Sequence, residues 1–208
     1  MKLNFISNKI CDNKALNGGG IFMKDNNTSI QSNNNTFIIE NNNFINNIAL
    51  NEGGAIYSDY SKFDLAQPKN NSINFNKAGI NGGGIYSLYS NDKNFFNDKY
   101  FNIYGNTVEK HISNIGSKPS YITISNSTSH FFNITSGDQI KLEFILYDQF
   151  DNILEDYSKI YSSLPLKVIL IDESEENNIE EEEEEEETLN ENNSYKLYEN
   201  VGSFVNGK

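Results

Sequence analysis

Short apolar segments alternate with asparagine- and glycine-rich segments along the first half of the chain, and this alternation repeats. Each copy has a large apolar residue and an asparagine three positions later, and the first three copies have an alanine two positions after that. The copies begin at Ile10, Phe44, Ile73 and Ile103, which are 34, 29 and 30 residues apart. Self-similarity at a period of about 20–50 residues indicates stacked repeat units.

Each unit is predicted to consist of short strands rather than helices. Its apolar pieces, such as 37–39, 55–57 and 84–86, are bounded by Asn and Gly, whereas a helical repeat needs an apolar stripe at 3.6-residue spacing. A unit of about 30 residues built from short strands has the size of one coil of a parallel β-helix. Residues 1–115 are therefore predicted to form a parallel β-helix of three to four coils, and the polar segments 25–36 and 60–72 are predicted to be loops.

Each signature position has a predicted role in such a coil. The large apolar residue points inward, and the asparagine lies at a bend, where it tolerates the left-handed conformation and can hydrogen-bond its counterpart in the next coil. The alanine is small because the next coil is about 4.8 Å away, and a glycine pair permits positive φ and close backbone approach. The isoleucine after the glycines points inward and the neighbouring aromatic outward. The signature positions are Ile10, Asn13, Ala15, Gly18, Gly19, Ile21, Phe44, Asn47, Ala49, Gly53, Gly54, Ile56, Ile73, Asn76, Ala78, Gly82, Gly83 and Ile85.

The pattern [Phe/Ile]-x-x-Asn-x-Ala followed by Gly-Gly-Ala-Ile, seen complete at 44–56, resembles the repeat of the polymorphic outer membrane proteins of chlamydiae. The same repeat occurs in large surface proteins of protists, ciliates among them. The resemblance covers about residues 8–112, and the fourth copy departs from it because it lacks the glycines. It implies a right-handed parallel β-helix that is secreted or displayed, with an adhesin-like role, and it implies no activity.

The pattern changes near residue 116, where the glycine repeats stop and alternating apolar and polar residues begin. We expect 118–208 to form an Ig-like β-sandwich that the end of the chain cuts short. Its strand candidates are 121–125, 131–135, 140–147, 166–171, 195–198 and 201–205. The stretch 136–152 resembles bacterial Ig-like and filamin-like domains, although Asp151 stands where those domains have glycine.

The formal net charge of −13 is concentrated in one place. Thirteen acidic residues and no lysine occupy 172–191, so the rest of the chain is close to neutral. Such a run repels itself and is predicted to form a disordered insertion at 172–193. It is either a solvated low-complexity segment or a weak, diffuse attractor of Ca²⁺, without the spacing of a dedicated calcium loop. The neutral remainder argues against nucleic-acid binding, which needs clustered Lys or Arg.

A catalytic role is weighed because parallel β-helices include polysaccharide lyases and hydrolases. Those enzymes use clustered acids with Arg, Lys or His nearby, but this chain has no arginine, and only Asp59 and Asp64 lie loosely together among the acids of the coils. His111 and His130 lack metal-ligand spacing, and the glycine run 18–20 lacks the lysine of a phosphate loop. We therefore predict no catalytic residue, metal or cofactor. A pectin-lyase-like carbohydrate-active enzyme or a carbohydrate-binding module is the alternative.

The sequence gives few signals of cellular location. It has no apolar stretch typical of a signal peptide, and its longest apolar run, 164–171, is too short to span a membrane. No cap precedes the first coil, which predicts either a fragment of a longer polypeptide or an incomplete gene model. Among the N-x-S/T sequons, Asn126 and Asn133 are the glycosylation candidates. The prediction is a non-enzymatic piece of a cell-surface or secreted protein, acting as a stalk or an adhesin-like surface for an unknown protein or glycan partner.

Overall fold

A computed structural model of the protein describes residues 2–24, 36–60, 63, 67–89, 93–96, 99–109, 111–125, 142–155, 160–161, 165–167 and 201–203. Most of these residues lie in short strands. In chain order the strands are β1 Lys2–Ile6, β2 Lys9–Cys11, β3 Lys14–Ala15, β4 Ile21–Lys24, β5 Thr36–Glu40, β6 Asn43–Ile45, β7 Ile48–Ala49, β8 Ile56–Asp59, β9 Gln67–Lys69, β10 Asn71–Asn74, β11 Lys77–Ala78, β12 Ile85–Ser87, β13 Phe101–Tyr104, β14 Thr107–Val108, β15 His111–Ile112, β16 Ile115–Gly116, β17 Pro119–Ile124, β18 Phe144–Asp148, β19 Pro165–Lys167 and β20 Val201–Ser203.

The first sixteen strands, apart from β15, wind into four stacked coils. Coil 1 contains β1 to β4, coil 2 contains β5 to β8, coil 3 contains β9 to β12, and coil 4 contains β13, β14 and β16. Strands at the same position in successive coils pair in parallel, which gives the sheets β1-β5-β9, β2-β6-β10-β13, β3-β7-β11-β14 and β4-β8-β12-β16. The all-β class and the parallel β-helix architecture predicted from the sequence are confirmed.

The repeat anchors lie directly above one another. Ile10 pairs with Phe44, Phe44 with Ile73, and Ile73 with Ile103. This register persists although successive copies are 34, 29 and 30 residues apart. The extra residues between coils 1 and 2 fall between Lys24, where β4 ends, and the start of β5.

The interior of the coils is a continuous apolar core. Its first row contains the anchors, and its second row is Ile21, Ile56, Ile85 and Ile115, paired in the same way. The central members of both rows are fully buried, whereas those of the first and fourth coils are only partly buried. Each fully buried side chain contributes about 1.5–3 kcal/mol through the hydrophobic effect.

A group of phenylalanines between the coils enlarges this core. Phe95 and Phe96, on a 3-10 helix Lys93–Phe96, pack edge-to-face with ring centroids 5.0 Å apart. Phe63 packs against both and is buried. The prediction of a polar loop over 60–72 is therefore wrong in part: it contains a core residue and, from Gln67, the strands β9 and β10.

The bends between strands use the left-handed conformation at one fixed position. The residue before the repeat asparagine has positive φ in all four coils, at Asp12, Asn46, Phe75 and Gly105. The asparagine itself is not among the positive-φ residues, so the prediction that it adopts this conformation is wrong. The side chain of the repeat asparagine points inward and is held by hydrogen bonds. The residue before it points outward and adopts the positive φ that bends the chain.

The C-terminal end of the β-helix is closed by several contacts. Strand β15 pairs antiparallel with β14, so it occupies the edge on which a fifth coil would pair. The turn after β18 places Phe150 against the core, with its ring 5.6 Å from that of Phe96 and nearly perpendicular to it. The buried Asp148 carboxylate accepts hydrogen bonds from the backbone N–H groups of Ser117, Phe150 and Asn152, at 2.8–3.0 Å.

The C-terminal half contains two antiparallel pairs in its described part. β17 pairs with β18, and β19 with β20. The predicted strand after Pro119 exists, but it includes the proline at a register shift, and most of its residues are exposed. Residues 126–141 and 168–200, which include the acidic run and several strand candidates, lie outside the described residues, so the Ig-like sandwich stays a prediction.

Candidate functional site: asparagine ladders and outward aromatic residues

The repeat asparagines form a hydrogen-bonded ladder through the coils. The side-chain amide nitrogen Nδ2 of each donates to Oδ1 of the asparagine in the next coil: Asn13 to Asn47 at 2.9 Å, Asn47 to Asn76 at 2.9 Å, and Asn76 to Asn106 at 2.9 Å. Asn106 ends the ladder on Asn114 at 3.0 Å. Because the donor always lies in the earlier coil, the whole ladder has one direction.

Each interior ladder asparagine makes further hydrogen bonds. The Nδ2 of Asn76 also donates to the Phe44 carbonyl at 3.1 Å, and its Oδ1 accepts the Asn47 backbone N–H at 2.8 Å. Asn47, Asn76 and Asn106 are all fully buried. An amide carries both donors and an acceptor, so asparagine fits this position, whereas an apolar residue of similar size would leave buried backbone groups without partners.

A second ladder runs one bend earlier and was missed by the sequence reasoning. Asn8 Nδ2 donates to Asn42 Oδ1, and Asn42 Nδ2 to Asn71 Oδ1, both at 3.0 Å. The residues before them also have positive φ. The signal in the sequence is an asparagine five residues ahead of each of Asn13, Asn47 and Asn76, but the general abundance of asparagine conceals it.

The small signature residues let adjacent coils approach. Among the predicted glycine pairs, the first glycine has positive φ, with values of 59°, 68° and 61° at Gly18, Gly53 and Gly82. The second glycine faces the next coil: a Cβ on Gly54 would lie 2.0 Å from the carbonyl oxygen of Gly83. The predicted alanines face inward in one row: Ala15 pairs with Ala49, and Ala78 follows and pairs with Val108.

The aromatic residues after the inward isoleucines stack on the outside of the coils. The Phe22 and Tyr57 rings are 5.0 Å apart and nearly parallel, and the Tyr57 and Tyr86 rings are 5.3 Å apart. Phe22 is 51% exposed, but Tyr86 is only 3% exposed, so the expectation of an exposed aromatic fails at the third coil. Burial raises the pKa of Tyr86, and burial also raises the pKa of the Glu52 carboxyl, to which Tyr86 is hydrogen-bonded.

A second aromatic pair joins coils 3 and 4, with Phe75 at the bend after β10 and Tyr104 at the end of β13. Phe75 is 57% exposed and Tyr104 is 45% exposed, and their rings are perpendicular with centroids 5.3 Å apart. Phe75 has φ of 58°, which is unusual for a bulky residue and costs about 1–2 kcal/mol. Its ring covers Gly105, where an added Cβ would be 2.8 Å from the ring. We call Phe75 and Tyr104 the aromatic corner.

The described residues bring no group of metal-ligating side chains together. No cluster of three or more His, Cys, Asp or Glu side chains suited to a metal occurs among them. His111 lies 3.9 Å from a Glu155 carboxylate oxygen, and Asp64 and His130 lie outside the described residues, as do the glycosylation candidates Asn126 and Asn133.

Comparisons with known proteins add no family. No family model matches the chain, and the searches of curated proteins and solved structures found no match either. Across the described part of the chain, no helix has the length and apolar character needed to cross a membrane.

Proposed function

We propose that this chain is a non-enzymatic segment of a cell-surface or secreted protein, in which the β-helix is a rod that presents side chains along its outer faces. The observation that carries the proposal is the unbroken asparagine ladder from Asn13 to Asn114. It fixes the four coils in one register, so outward residues at equivalent positions form rows with a spacing of about 4.8 Å. The likeness of the repeat to chlamydial-type surface proteins supports the same assignment.

The packing of the coils supports display rather than catalysis. Inward positions are occupied by Phe, Ile and Asn side chains that pack against or hydrogen-bond to other coils. The outward positions carry the exposed residues, including the aromatic corner. An outer face of this kind suits contact with a large partner, for which an extended row of side chains offers more area than a pocket does.

Localisation of the native protein tests this proposal. We expect an antibody against residues 36–60 to label intact cells that make the protein, or their medium, and mass spectrometry of the native protein to find glycans at Asn126 or Asn133. A wholly internal protein with unmodified sequons would contradict the proposal.

A second candidate is carbohydrate binding at the aromatic corner, and the observation that favours it is the strained, exposed Phe75. Equivalent bends in coils 1 and 2 use Asp12 and Asn46, residues that adopt positive φ more readily. The two exposed, perpendicular rings of the aromatic corner offer an apolar face, and the polar side chains at the equivalent bends offer hydrogen-bonding groups. A sugar ligand requires both. Backbone strain of this kind concentrates at functional sites.

The variant Phe75→Asn separates binding from folding. Asparagine suits the backbone at this position, so stability should change by no more than about 1 kcal/mol. Isothermal titration with a panel of soluble uronan and glucan oligosaccharides should show binding by the natural protein and its loss in the variant. Equal binding by both would remove the corner as the site, and turnover of any member of the panel would favour the enzymatic alternative.

A further inference from the structure

The interface between coils 1 and 2 has the same composition as the interface between coils 2 and 3. Two ladder asparagines of the earlier coil donate to the Oδ1 atoms of the later coil, as Asn8 and Asn13 do toward Asn42 and Asn47. The later asparagine donates back to a carbonyl of the earlier coil, as Asn47 does to Ile10 at 2.9 Å. Four parallel strand pairs and the two inward apolar rows complete the interface.

The outer face of coil 1 has every one of these features without a partner within the described chain. The Oδ1 atoms of Asn8 and Asn13 accept no hydrogen bond there, whereas Oδ1 of Asn42 accepts two from Asn8, at 3.0 Å each. Ile10 and Ile21 are only partly buried, whereas their counterparts in coil 2 are fully buried.

The aromatic stack continues this pattern. Phe22 is the first ring of the stack and is the most exposed of the three, with only one of its two faces against another ring. All of these groups lie on the same end face of the rod: the partly buried isoleucines, the two asparagine acceptors and the ring of Phe22. The outer face of coil 1 is therefore half of the interface that occurs between coils.

The opposite end of the rod differs from this face. There β15 covers the edge of β14, Asn114 accepts the last ladder bond, and Phe150 packs on the core. A second copy of the chain therefore cannot continue the rod by placing its last coil on this first coil.

We infer that the outer face of coil 1 binds one more coil of the same asparagine-ladder repeat, from outside these 208 residues. The partner coil carries an asparagine at both ladder positions, whose Nδ2 groups donate to Asn8 and Asn13. It places apolar side chains over Ile10 and Ile21 and an aromatic ring over Phe22. The inference rests on the geometry of the coils and goes beyond the proposed function, because it names the structural class of a partner.

The test adds such a coil to the full chain. Residues 36–64 are duplicated ahead of Lys2, so that equivalent positions are 29 residues apart, as they are between coils 2 and 3, and the copies of Asn42 and Asn47 supply the ladder donors. A matched control carries alanine at these two added positions. Hydrogen exchange followed by mass spectrometry then measures protection over residues 2–24.

We expect the added coil to slow exchange over residues 2–24 by about tenfold or more, and the alanine control to give a clearly smaller effect. Unchanged exchange, or equal slowing by both extended chains, would overturn the inference. Light scattering measures whether the natural chain forms a dimer. A dimer that dissociates in the Asn13→Ala variant would show that a second copy occupies this face, and it would overturn the proposed partner. None of these results depends on cellular location or glycan binding, so they are separate from the proposed function.

Discussion

The substitution Asn76→Ala removes one interior member of the asparagine ladder without requiring a new backbone conformation. Asn76 is fully buried, and its φ is not positive, so alanine can adopt the same backbone conformation. Its Oδ1 accepts from the backbone N–H and the Nδ2 of Asn47, at 2.8 and 2.9 Å. Alanine has no atom to replace this acceptor.

The expected loss follows from the groups left without partners. Asn47 is fully buried, so the substitution leaves one backbone donor and one side-chain donor unsatisfied. Each such group costs about 1–3 kcal/mol, which gives about 2–6 kcal/mol for Asn76→Ala. Because domains of this size are stable by about 5–15 kcal/mol, this is a large part of the total.

Asn13→Ala is the matched control, because it removes the same residue type at the same repeat position in coil 1. Asn13 is exposed, and its side chain makes one described hydrogen bond, to Asn47 at 2.9 Å. Its loss should cost about 0.5–1.5 kcal/mol. Urea denaturation followed by circular dichroism measures both values. Equal losses for the two variants, or a loss below about 1 kcal/mol for Asn76→Ala, would refute the ladder as a stabilising element.

Three further predictions concern other parts of the structure. Gly54→Ala should lose about 3 kcal/mol or more in urea denaturation, because the new Cβ would lie 2.0 Å from a carbonyl oxygen of the next coil. Gly20→Ala, where the closest atom would be 2.9 Å away and coil 2 already has alanine, should lose much less, and similar losses would contradict this reasoning. Asp148→Ala should cost at least about 3 kcal/mol by the same assay, because three backbone donors lose their acceptor, whereas the exposed Asp151→Asn should stay within about 0.5 kcal/mol. Burial raises the pKa of Glu52, so the folded state binds more protons than the unfolded state and stability falls as the pH rises above the ordinary value of 4.5. Glu52→Gln should therefore raise the denaturation midpoint more at pH 7 than at pH 4, and a pH-independent difference would contradict this.

The stacking of the coils could be predicted from the sequence because it depends on periodic positions. Phe44 and Ile73 recur at the repeat spacing, and only an inward, in-register position explains large apolar residues among so many polar ones. The burial of Phe63 could not be predicted in the same way. It lies outside the repeat and is buried by contacts with Phe95 and Phe96, which are distant in sequence.

The conformation of the bends and the closure of the rod could not be predicted from the sequence, for related reasons. Sequence preference assigned positive φ to the repeat asparagines, but Phe75 shows that the position before them adopts it even when the residue is unsuited. The tertiary hydrogen bonds of Asn76 determine which of the two residues turns inward. Phe150 belongs to a segment with no repeat character, and its packing on the core appears only when the chain is folded.

The unequal spacing of the copies has a practical consequence. Coils 1 and 2 keep full register in all four sheets although the chain between β4 and β5 is longer than the corresponding connection between coils 2 and 3. The stretch after Lys24 therefore tolerates added length, and it is the natural place to graft a foreign peptide or an affinity tag into the rod.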